Sequence, residues 1–327
     1  MQTRTLGRTG RAVSVLGLGT WQLGADWGDV DESDARAILD AAVTSGVTLF
    51  DTADVYGDGR SERFIGDFLR DNPGHRITVA TKMGRREAQI PENFTLGRFR
   101  EWTDRSRRNL KVDTLDLVQL HCPPTAVLSS DEVYDALDVL VENEAIAAYG
   151  VSVERTDEAL AAIARGASTV QIILNAFRIK PLDEVLPAAI AADVGIIARV
   201  PLASGLLSGK YSTATTFAEN DHRNYNRDGS AFDVGETFSG VDFEQGVAAA
   251  QEFAALAAAT GLTTAQAALA WVAQLDGVST VIPGARSVEQ ARSNAVAGSA
   301  QALPASFNAG VVSLYDRYFR AAVHPRW

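Results

Sequence analysis

Short, nearly continuous apolar runs alternate with longer amphipathic segments along most of the chain. Such runs are typical of strands that are buried on both faces of a parallel sheet, and their alternation with helical patterns indicates βαβ units. Strands are predicted at residues 13–18, 47–50, 77–81, 115–120, 146–151, 169–174, 195–200 and 279–282. Helices are predicted at residues 33–45, 61–70, 96–110, 130–142, 156–164, 185–191 and 288–296. A count of eight strands favours an α/β fold of the closed (β/α)8 TIM-barrel type over an open sheet, because closure leaves no edge strand.

Two segments depart from this alternation. Residues 3–6 and 13–15 flank a Gly-Arg-Thr-Gly turn, which predicts an N-terminal β-hairpin at the bottom of the barrel. Residues 211–240 are polar and have no clean period, so we expect a long loop after the seventh strand. Loops of this length inside a compact domain are usually functional. With no internal repeat and no linker-like stretch, residues 1–327 are expected to form a single domain.

Composition and charge narrow the class of protein. A net charge of −11 argues against a nucleic-acid-binding or membrane-binding surface. There is one cysteine, Cys122, so no intrachain disulfide can form. The first residues lack the apolar core of a signal peptide, and no run of 18 apolar residues occurs. A cytoplasmic protein without a metal site is therefore expected, and the sequence favours neither a monomer nor a homo-oligomer.

Four polar residues end or follow apolar runs. Asp51 ends the second run, Tyr56 follows it, Lys82 ends the third, and His121 ends the fourth. The carboxyl ends of all strands in a barrel open onto one face, so these residues can converge. Alone, Asp51 could cap a loop, Tyr56 could be a loop aromatic residue, and His121 could be a hydrogen-bonded core histidine. Lys82 is the least easily dismissed, because lysine rarely ends a buried strand without a partner. Jointly they favour a catalytic site.

The chemistry of these four residue types points to proton transfer. An ammonium beside a phenol is expected to lower the tyrosine pKa from its usual value of about 10. The carboxylate of Asp51 would keep Lys82 charged and oriented, and the imidazole of His121 would position a carbonyl oxygen. Tyr56 could then protonate an alkoxide as it forms. Because no amino acid supplies hydride, a reduced cofactor is required.

Several motifs in this order resemble the aldo-keto reductase family. They are Gly-Leu-Gly-Thr-Trp at 17–21, Phe-Asp-Thr-Ala-Asp-Val-Tyr-Gly at 50–57, Ser-Glu at 61–62, Thr-Lys at 81–82 and Asp-Leu-Val-Gln-Leu-His at 116–121. The resemblance implies a (β/α)8 barrel that reduces aldehydes or ketones with a nicotinamide cofactor, usually NADPH. It also implies that Tyr56 is the general acid, that Lys82 and Asp51 tune it, and that His121 orients the carbonyl.

Glycine-bearing segments after the seventh and eighth strands are candidates for the cofactor phosphates. The Rossmann fingerprint is lacking, because Gln22 stands where the third glycine would fall. Residues 204–210 and 282–287 lie where barrels commonly bind phosphate. Arg286 could pair with a ribose 2′-phosphate, which predicts NADPH, with NADH as a weaker alternative.

The predicted cofactor site also includes residues that end the fifth to seventh strands. By resemblance, Ser152 and Gln171 hold the nicotinamide amide, with Asn175 nearby. Arg199 stands where many relatives have tyrosine, and its guanidinium could stack on the ring in its place; alternatively Trp21 covers the ring. Val153 and Leu174 also depart from the family pattern. The predicted cofactor-binding residues are Gly19, Thr20, Trp21, Ser152, Gln171, Arg199, Pro201, Leu202, Ser204, Gly205, Leu207, Gly209, Lys210, Gly284, Arg286, Gln290 and Asn294.

The substrate is expected to be a small carbonyl compound, bound by Trp21, Trp27, Tyr56 and His121. Aromatic walls suit an apolar or planar molecule. Residues 222–227 read as a lid rather than a nucleic-acid patch. Two other functions stay open: a Schiff-base lyase acting through Lys82, and a non-catalytic cofactor-binding regulator of the potassium-channel-subunit type.

Overall fold

A computed structural model describes residues 1–24, 30–219 and 221–327. Within these residues, a two-stranded hairpin precedes one sheet of eight parallel strands, in agreement with the predicted (β/α)8 barrel. The strands are β1 Thr3–Thr5, β2 Ala12–Ser14, β3 Leu18–Gly19, β4 Leu49–Asp51, β5 Thr78–Met83, β6 Leu117–His121, β7 Tyr149–Ser152, β8 Thr169–Ile173, β9 Gly195–Arg199 and β10 Val278–Val281.

The sheet runs in sequence order from β3 to β10, and the chain before β3 joins its two ends. The Gly17 amide donates to the Val281 carbonyl at 2.8 Å, and the Gly19 amide donates to the Pro283 carbonyl at 3.0 Å. These bonds close the barrel and remove its edges.

The predicted first barrel strand, at residues 13–18, is wrong in its extent. Residues 12–14 pair with β1 in the hairpin, and only Leu18–Gly19 pairs with β4. In place of a strand ladder, Ser14 and Thr48 form two hydrogen bonds, each from the backbone amide of one residue to the side-chain hydroxyl of the other. The Ser14 amide donates to Thr48 Oγ1 at 2.8 Å, and the Thr48 amide donates to Ser14 Oγ at 2.9 Å. These side-chain bonds replace the ladder at this position.

All seven predicted helices are present, with ends shifted by a few residues. The helices are α1 Glu32–Thr44, α2 Arg60–Asp71, α3 Leu96–Leu110, α4 Asp131–Glu142, α5 Thr156–Ala164, α6 Val185–Ala191, α7 His222–Tyr225, α8 Phe243–Ala258, α9 Thr264–Ala273, α10 Val288–Val296, α11 Ala305–Tyr318 and α12 Arg320–Val323. The predicted helices do not include α7, α8, α9, α11 or α12. Alanine fills much of α8 and α9, so the contrast between their apolar and polar faces is weak. No helix among the described residues is long and apolar enough to cross a membrane.

The barrel interior is layered because side chains on a strand alternate with a period of two. Leu49, Ala80, Leu117 and Ile197 belong to one buried apolar cluster, together with residues of the hairpin. Two residues further along their strands stand Asp51, Lys82, Gln119 and Arg199. An apolar layer therefore lies beneath a polar layer at the carboxyl ends of the strands.

The predicted hairpin at the bottom of the barrel and the predicted long loop after the seventh strand are both confirmed. A Cβ atom on Gly7 would lie 2.0 Å from the Gly195 amide nitrogen, so the hairpin turn presses directly on the start of β9. The loop at residues 211–240 includes α7 and irregular turns, and it crosses the opposite, carboxyl face.

Replacing Gly195 with alanine tests how closely the hairpin packs. The added Cβ would lie 2.8 Å from the Leu6 carbonyl carbon and 2.9 Å from the Gly7 amide nitrogen, which are backbone atoms that cannot rotate away. We expect Gly195→Ala to lower the free energy of unfolding in urea by roughly 1–3 kcal/mol. Gly74→Ala is the matched control, because a Cβ added at Gly74 would have no other atom within 4 Å. Equal stability of the two variants would contradict this packing.

Candidate active site

A cavity of about 1010 Å³ opens at the carboxyl ends of the barrel strands. It is lined by segments that follow nearly every strand and by the loop at residues 211–240. The predicted site residues on its wall are Gly19, Thr20, Trp21, Asp51, Tyr56, His121, Ser152, Gln171, Arg199, Pro201, Leu202, Ser204, Gly205, Lys210, Gly284, Arg286, Gln290 and Asn294.

At the floor of the cavity, Lys82 forms a buried ion pair with Asp51. The ammonium contacts Asp51 Oδ1, and the two side chains are 1% and 4% exposed. Lys82 Nζ also donates to the Thr52 carbonyl at 2.9 Å and to the Tyr56 hydroxyl at 3.5 Å. The ammonium therefore links the carboxylate on β4 to the phenol in the loop that follows it.

Two amide side chains hold the second oxygen of Asp51. Gln171 Nε2 donates to Asp51 Oδ2 at 2.7 Å, and Gln119 Nε2 donates to the same oxygen at 3.3 Å. Gln171 thus supports the Asp51 carboxylate, while its predicted contact with nicotinamide stays a prediction. Gln119 is not among the predicted site residues, although a single polar residue inside the apolar run of β6 is a visible signal.

Of Lys82 and Tyr56, only Tyr56 has a pKa shift that differs from the sequence-based expectation. Burial alone would lower the pKa of Lys82, but Asp51 and Tyr56 outweigh burial and raise the pKa above its usual value. The expectation that Lys82 lowers the pKa of Tyr56 below 10 is wrong for the net effect. Burial raises the pKa of the phenol more than the Lys82 charge lowers it. Tyr56 therefore keeps its proton at neutral pH.

His121 lies against Tyr56 on the cavity wall. The two rings meet edge to face, with centroids 6.0 Å apart and planes at 86°. Burial and the charges of Arg85, Lys82 and Arg199 hold the pKa of His121 well below its usual value. The imidazole is therefore neutral at neutral pH, and its one N–H can donate to an oxygen beside the Tyr56 hydroxyl.

A second buried charge cluster surrounds Arg199. Its guanidinium donates to Glu236 Oε1 at 2.6 Å, to the Val153 carbonyl at 3.0 Å, and lies 3.0 Å from Glu154 Oε2. These partners fix the orientation of Arg199, and its predicted stacking on nicotinamide stays a prediction. The predicted site residues do not include Glu154, Glu236 or Arg85. Glu154 and Arg85 each follow the end of a strand by two residues.

The backbone after β9 carries the first predicted phosphate segment in an uncommon conformation. Val200, Ala203 and Ser204 all have φ between 47° and 55°. Left-handed backbone in residues other than glycine costs about 1–3 kcal/mol each and clusters at functional sites. Ser204 Oγ donates to the Glu236 carbonyl at 2.6 Å, which ties this turn to the long loop. At Gly205 a Cβ would lie 2.2 Å from the Tyr211 hydroxyl, so only glycine fits.

The second predicted phosphate segment ends at the N-terminus of α10. Ser287 caps the helix by accepting from the Gln290 amide at 3.2 Å, and Gln290 Oε1 accepts from the Arg286 amide at 2.8 Å. Asn294 Nδ2 donates to the Gly284 carbonyl at 3.1 Å. Arg286 is exposed at the cavity rim, and its guanidinium donates no hydrogen bond to the residues that the structure describes. Helix N-termini with a nearby arginine favour phosphate.

Four predicted positions do not line the cavity, and one of them is Lys82, which is buried in its ion pair with Asp51. Leu207 is fully buried in the hydrophobic core, and Gly209 faces Thr264. Asn175 is turned inward, where Nδ2 donates to the Val200 carbonyl at 3.0 Å and Oδ1 accepts from the Phe177 amide at 2.8 Å. Trp27 lies outside the described residues. Across the described ranges, no cluster of side chains could hold a metal ion.

Part of the predicted lid also reaches the cavity. His222, Arg223 and Tyr225, on and beside α7, line its wall together with Phe232. The centroid of the Trp21 ring is 6.1 Å from that of the Tyr56 ring and 6.2 Å from that of the Phe232 ring. Aromatic side chains therefore form much of the wall facing Tyr56.

Known proteins share both this sequence and this fold. The model of the Aldo/keto reductase family matches residues 15–316. An uncharacterized oxidoreductase of Mycobacterium bovis is 33% identical over 87% of this chain and 84% of the relative. A probable voltage-gated potassium channel subunit beta of Oryza sativa is 31% identical over 89% of each chain.

Solved structures agree with the sequence comparison. The glycerol dehydrogenase of Gluconobacter oxydans superposes with a TM-score of 0.78 and is 29% identical, over 94% of this chain and 93% of that one. An aldo-keto reductase of Klebsiella pneumoniae, solved in complex with NADPH, superposes with a TM-score of 0.72 and is 25% identical over 96% of each chain. With the family model matching nearly its whole length, this chain belongs to the aldo-keto reductase family of oxidoreductases.

Proposed function

We propose that this protein reduces aldehydes or ketones to alcohols, with hydride from NADPH and a proton from Tyr56. The observation that carries the proposal is the shared position of the Tyr56 hydroxyl, the His121 ring and the Lys82–Asp51 ion pair at one cavity floor. A carbonyl oxygen placed between Tyr56 and His121 would meet two hydrogen-bond donors.

The proton half of the reaction follows from the state of these groups. As the carbonyl carbon accepts hydride, its oxygen gains negative charge and takes the proton of the Tyr56 hydroxyl. The C=O double bond becomes a C–O single bond, and new C–H and O–H bonds form. The Lys82 ammonium, 3.5 Å from the phenol oxygen, stabilises the resulting phenolate until solvent returns a proton. Neutral His121 donates to the same oxygen and holds it in place.

The chemistry of the rim residues fits NADPH. When bound, NADPH supplies the hydride and leaves as NADP⁺. Arg286 would pair with the 2′-phosphate, while the backbone turn at Ser204 and Gly205 would contact the pyrophosphate. The Klebsiella pneumoniae relative is bound to NADPH, which supports this choice. We propose NADH as a weaker alternative, because it lacks the phosphate that Arg286 would bind.

The two alternative functions are less well supported. A Schiff-base lyase needs a neutral lysine, but its ion pair raises the pKa of Lys82 and keeps it protonated. A non-catalytic role of the channel-subunit type is suggested by the similarity to the Oryza sativa protein. Cofactor binding without turnover of any carbonyl compound would favour that role.

Replacing Tyr56 with phenylalanine tests the proton donor. We expect Tyr56→Phe to lower kcat for carbonyl reduction by about 10²–10⁴-fold, because the acid is removed. The dissociation constant for NADPH, measured by fluorescence, should change little. Tyr318→Phe is a matched control, since it removes a hydroxyl that does not line the cavity. Undiminished turnover by Tyr56→Phe would refute the mechanism.

Replacing Arg286 with alanine tests the choice of cofactor. We expect the dissociation constant for NADPH to rise by about 10–100-fold, while that for NADH stays nearly constant, because only NADPH carries the 2′-phosphate. Arg292→Ala, on the same helix but outside the cavity wall, should affect neither. An equal loss for both cofactors would rule out the phosphate role of Arg286.

A further inference from the structure

Arg85 is a cavity-lining cation that the proposed reaction does not use. It follows β5 by two residues, and β5 pairs with β6, whose last residue is His121. Its charge is close enough to contribute to the lowered pKa of His121. Arg85 therefore stands beside the position proposed for the carbonyl group. The proposed phosphate segments follow β9 and β10, across the barrel.

The guanidinium of Arg85 has hydrogen-bonding capacity that no described residue uses. It donates no hydrogen bond to the residues that the structure describes, although it carries five N–H donors. Its one ion pair with a described residue is to Glu154, at 3.7 Å, which is beyond hydrogen-bonding distance. The side chain is 28% exposed, so a molecule in the cavity can reach it.

The neighbouring acidic groups are already engaged by another arginine. Glu154 Oε2 lies 3.0 Å from Arg199, and Glu236 Oε1 accepts from Arg199 at 2.6 Å. Arg85, Arg178 and Arg199 face Glu154, Glu236 and Asp233, and Lys82 pairs with Asp51. A carboxylate from a ligand would therefore enter a cluster without an excess of acidic groups, and it would meet N–H donors of Arg85 that no described residue engages.

We propose that Arg85 determines specificity, and that the preferred substrate is a carbonyl compound carrying a carboxylate. This inference rests on the proposed carbonyl reduction. With the carbonyl oxygen between Tyr56 and His121, the carboxylate would extend toward Arg85 and accept a bidentate pair of hydrogen bonds. The aromatic wall formed by Trp21 and Phe232 suits a planar body between the two groups.

A matched pair of aldehydes tests the inference. The acid 4-carboxybenzaldehyde and its neutral methyl ester share the same reacting carbonyl and ring. With NADPH, we expect the wild type to have the higher kcat/KM for the acid. In Arg85→Gln the acid-to-ester ratio of kcat/KM should fall by about 10–100-fold, as expected for a hydrogen-bonded charge pair. Because the ratio is internal to each preparation, partial misfolding does not alter it.

Two further variants make the result specific to this position. Arg85→Lys keeps the charge without the bidentate geometry and should retain part of the preference. Arg86→Gln changes the next residue, which pairs with Asp58 outside the cavity, and should leave the ratio as in the wild type. An unchanged ratio in Arg85→Gln, or an equal fall in Arg86→Gln, would overturn the inference.

Binding without turnover separates this inference from the proposed function. Calorimetric titration of the cofactor-free protein with benzoate should show binding that weakens by at least about 10-fold in Arg85→Gln. If the wild type reduces neither aldehyde, the proposed reduction fails, and the substrate assignment fails with it. If it reduces the ester but neither prefers the acid nor binds benzoate through Arg85, only the assignment fails.

Discussion

The buried ion pair between Lys82 and Asp51 is the interaction on which the site depends. Removing two charges from water is costly, and a single partner left alone would cost several kcal/mol. The barrel meets this cost by surrounding the pair with donors and acceptors: Thr52, Gln119 and Gln171 complete its hydrogen bonds. Because side chains alternate along a strand, the ion pair lies one layer above the apolar cluster. From there Asp51 reaches the cavity wall and Lys82 contacts the Tyr56 hydroxyl.

The proposed reaction needs proton transfer and cofactor binding, and these two tasks fall to different parts of the barrel. Residues on the strands hold Tyr56, the proposed proton donor, while the segments after β9 and β10, with Arg286, line the part of the cavity where we propose that the anionic cofactor binds. The Arg199 cluster joins the two regions, because Glu236 belongs to the long loop and Glu154 follows β7. Arg85 lines the same cavity and donates no hydrogen bond to a described residue, which is why we assign it to the substrate.

The barrel and the four catalytic candidates could be predicted because each candidate ends or follows an apolar run, and barrel strands end on one face. Gln119 stands inside its run, so only the strand register reveals its contact with Asp51. Glu236 comes from a loop whose path no periodicity encodes. The predicted direction of the Tyr56 pKa shift was wrong, because the effect of burial on the pKa depends on how deeply the phenol is buried, which the sequence does not show. The helices α8 and α9 were not predicted, because their many alanines weaken the contrast between an apolar and a polar face.

The most direct test of this account is a double-mutant cycle of Tyr56→Phe and Lys82→Met, with hydride transfer measured in single turnovers of NADPH. If Lys82 acts through the Tyr56 phenol, the double variant should be no slower than Tyr56→Phe alone. Once the Tyr56 hydroxyl is gone, Lys82 has no phenol to act on, so its removal should have no further effect. Additive losses, with the double variant slower by the product of the two single effects, would contradict the account and give Lys82 a separate role.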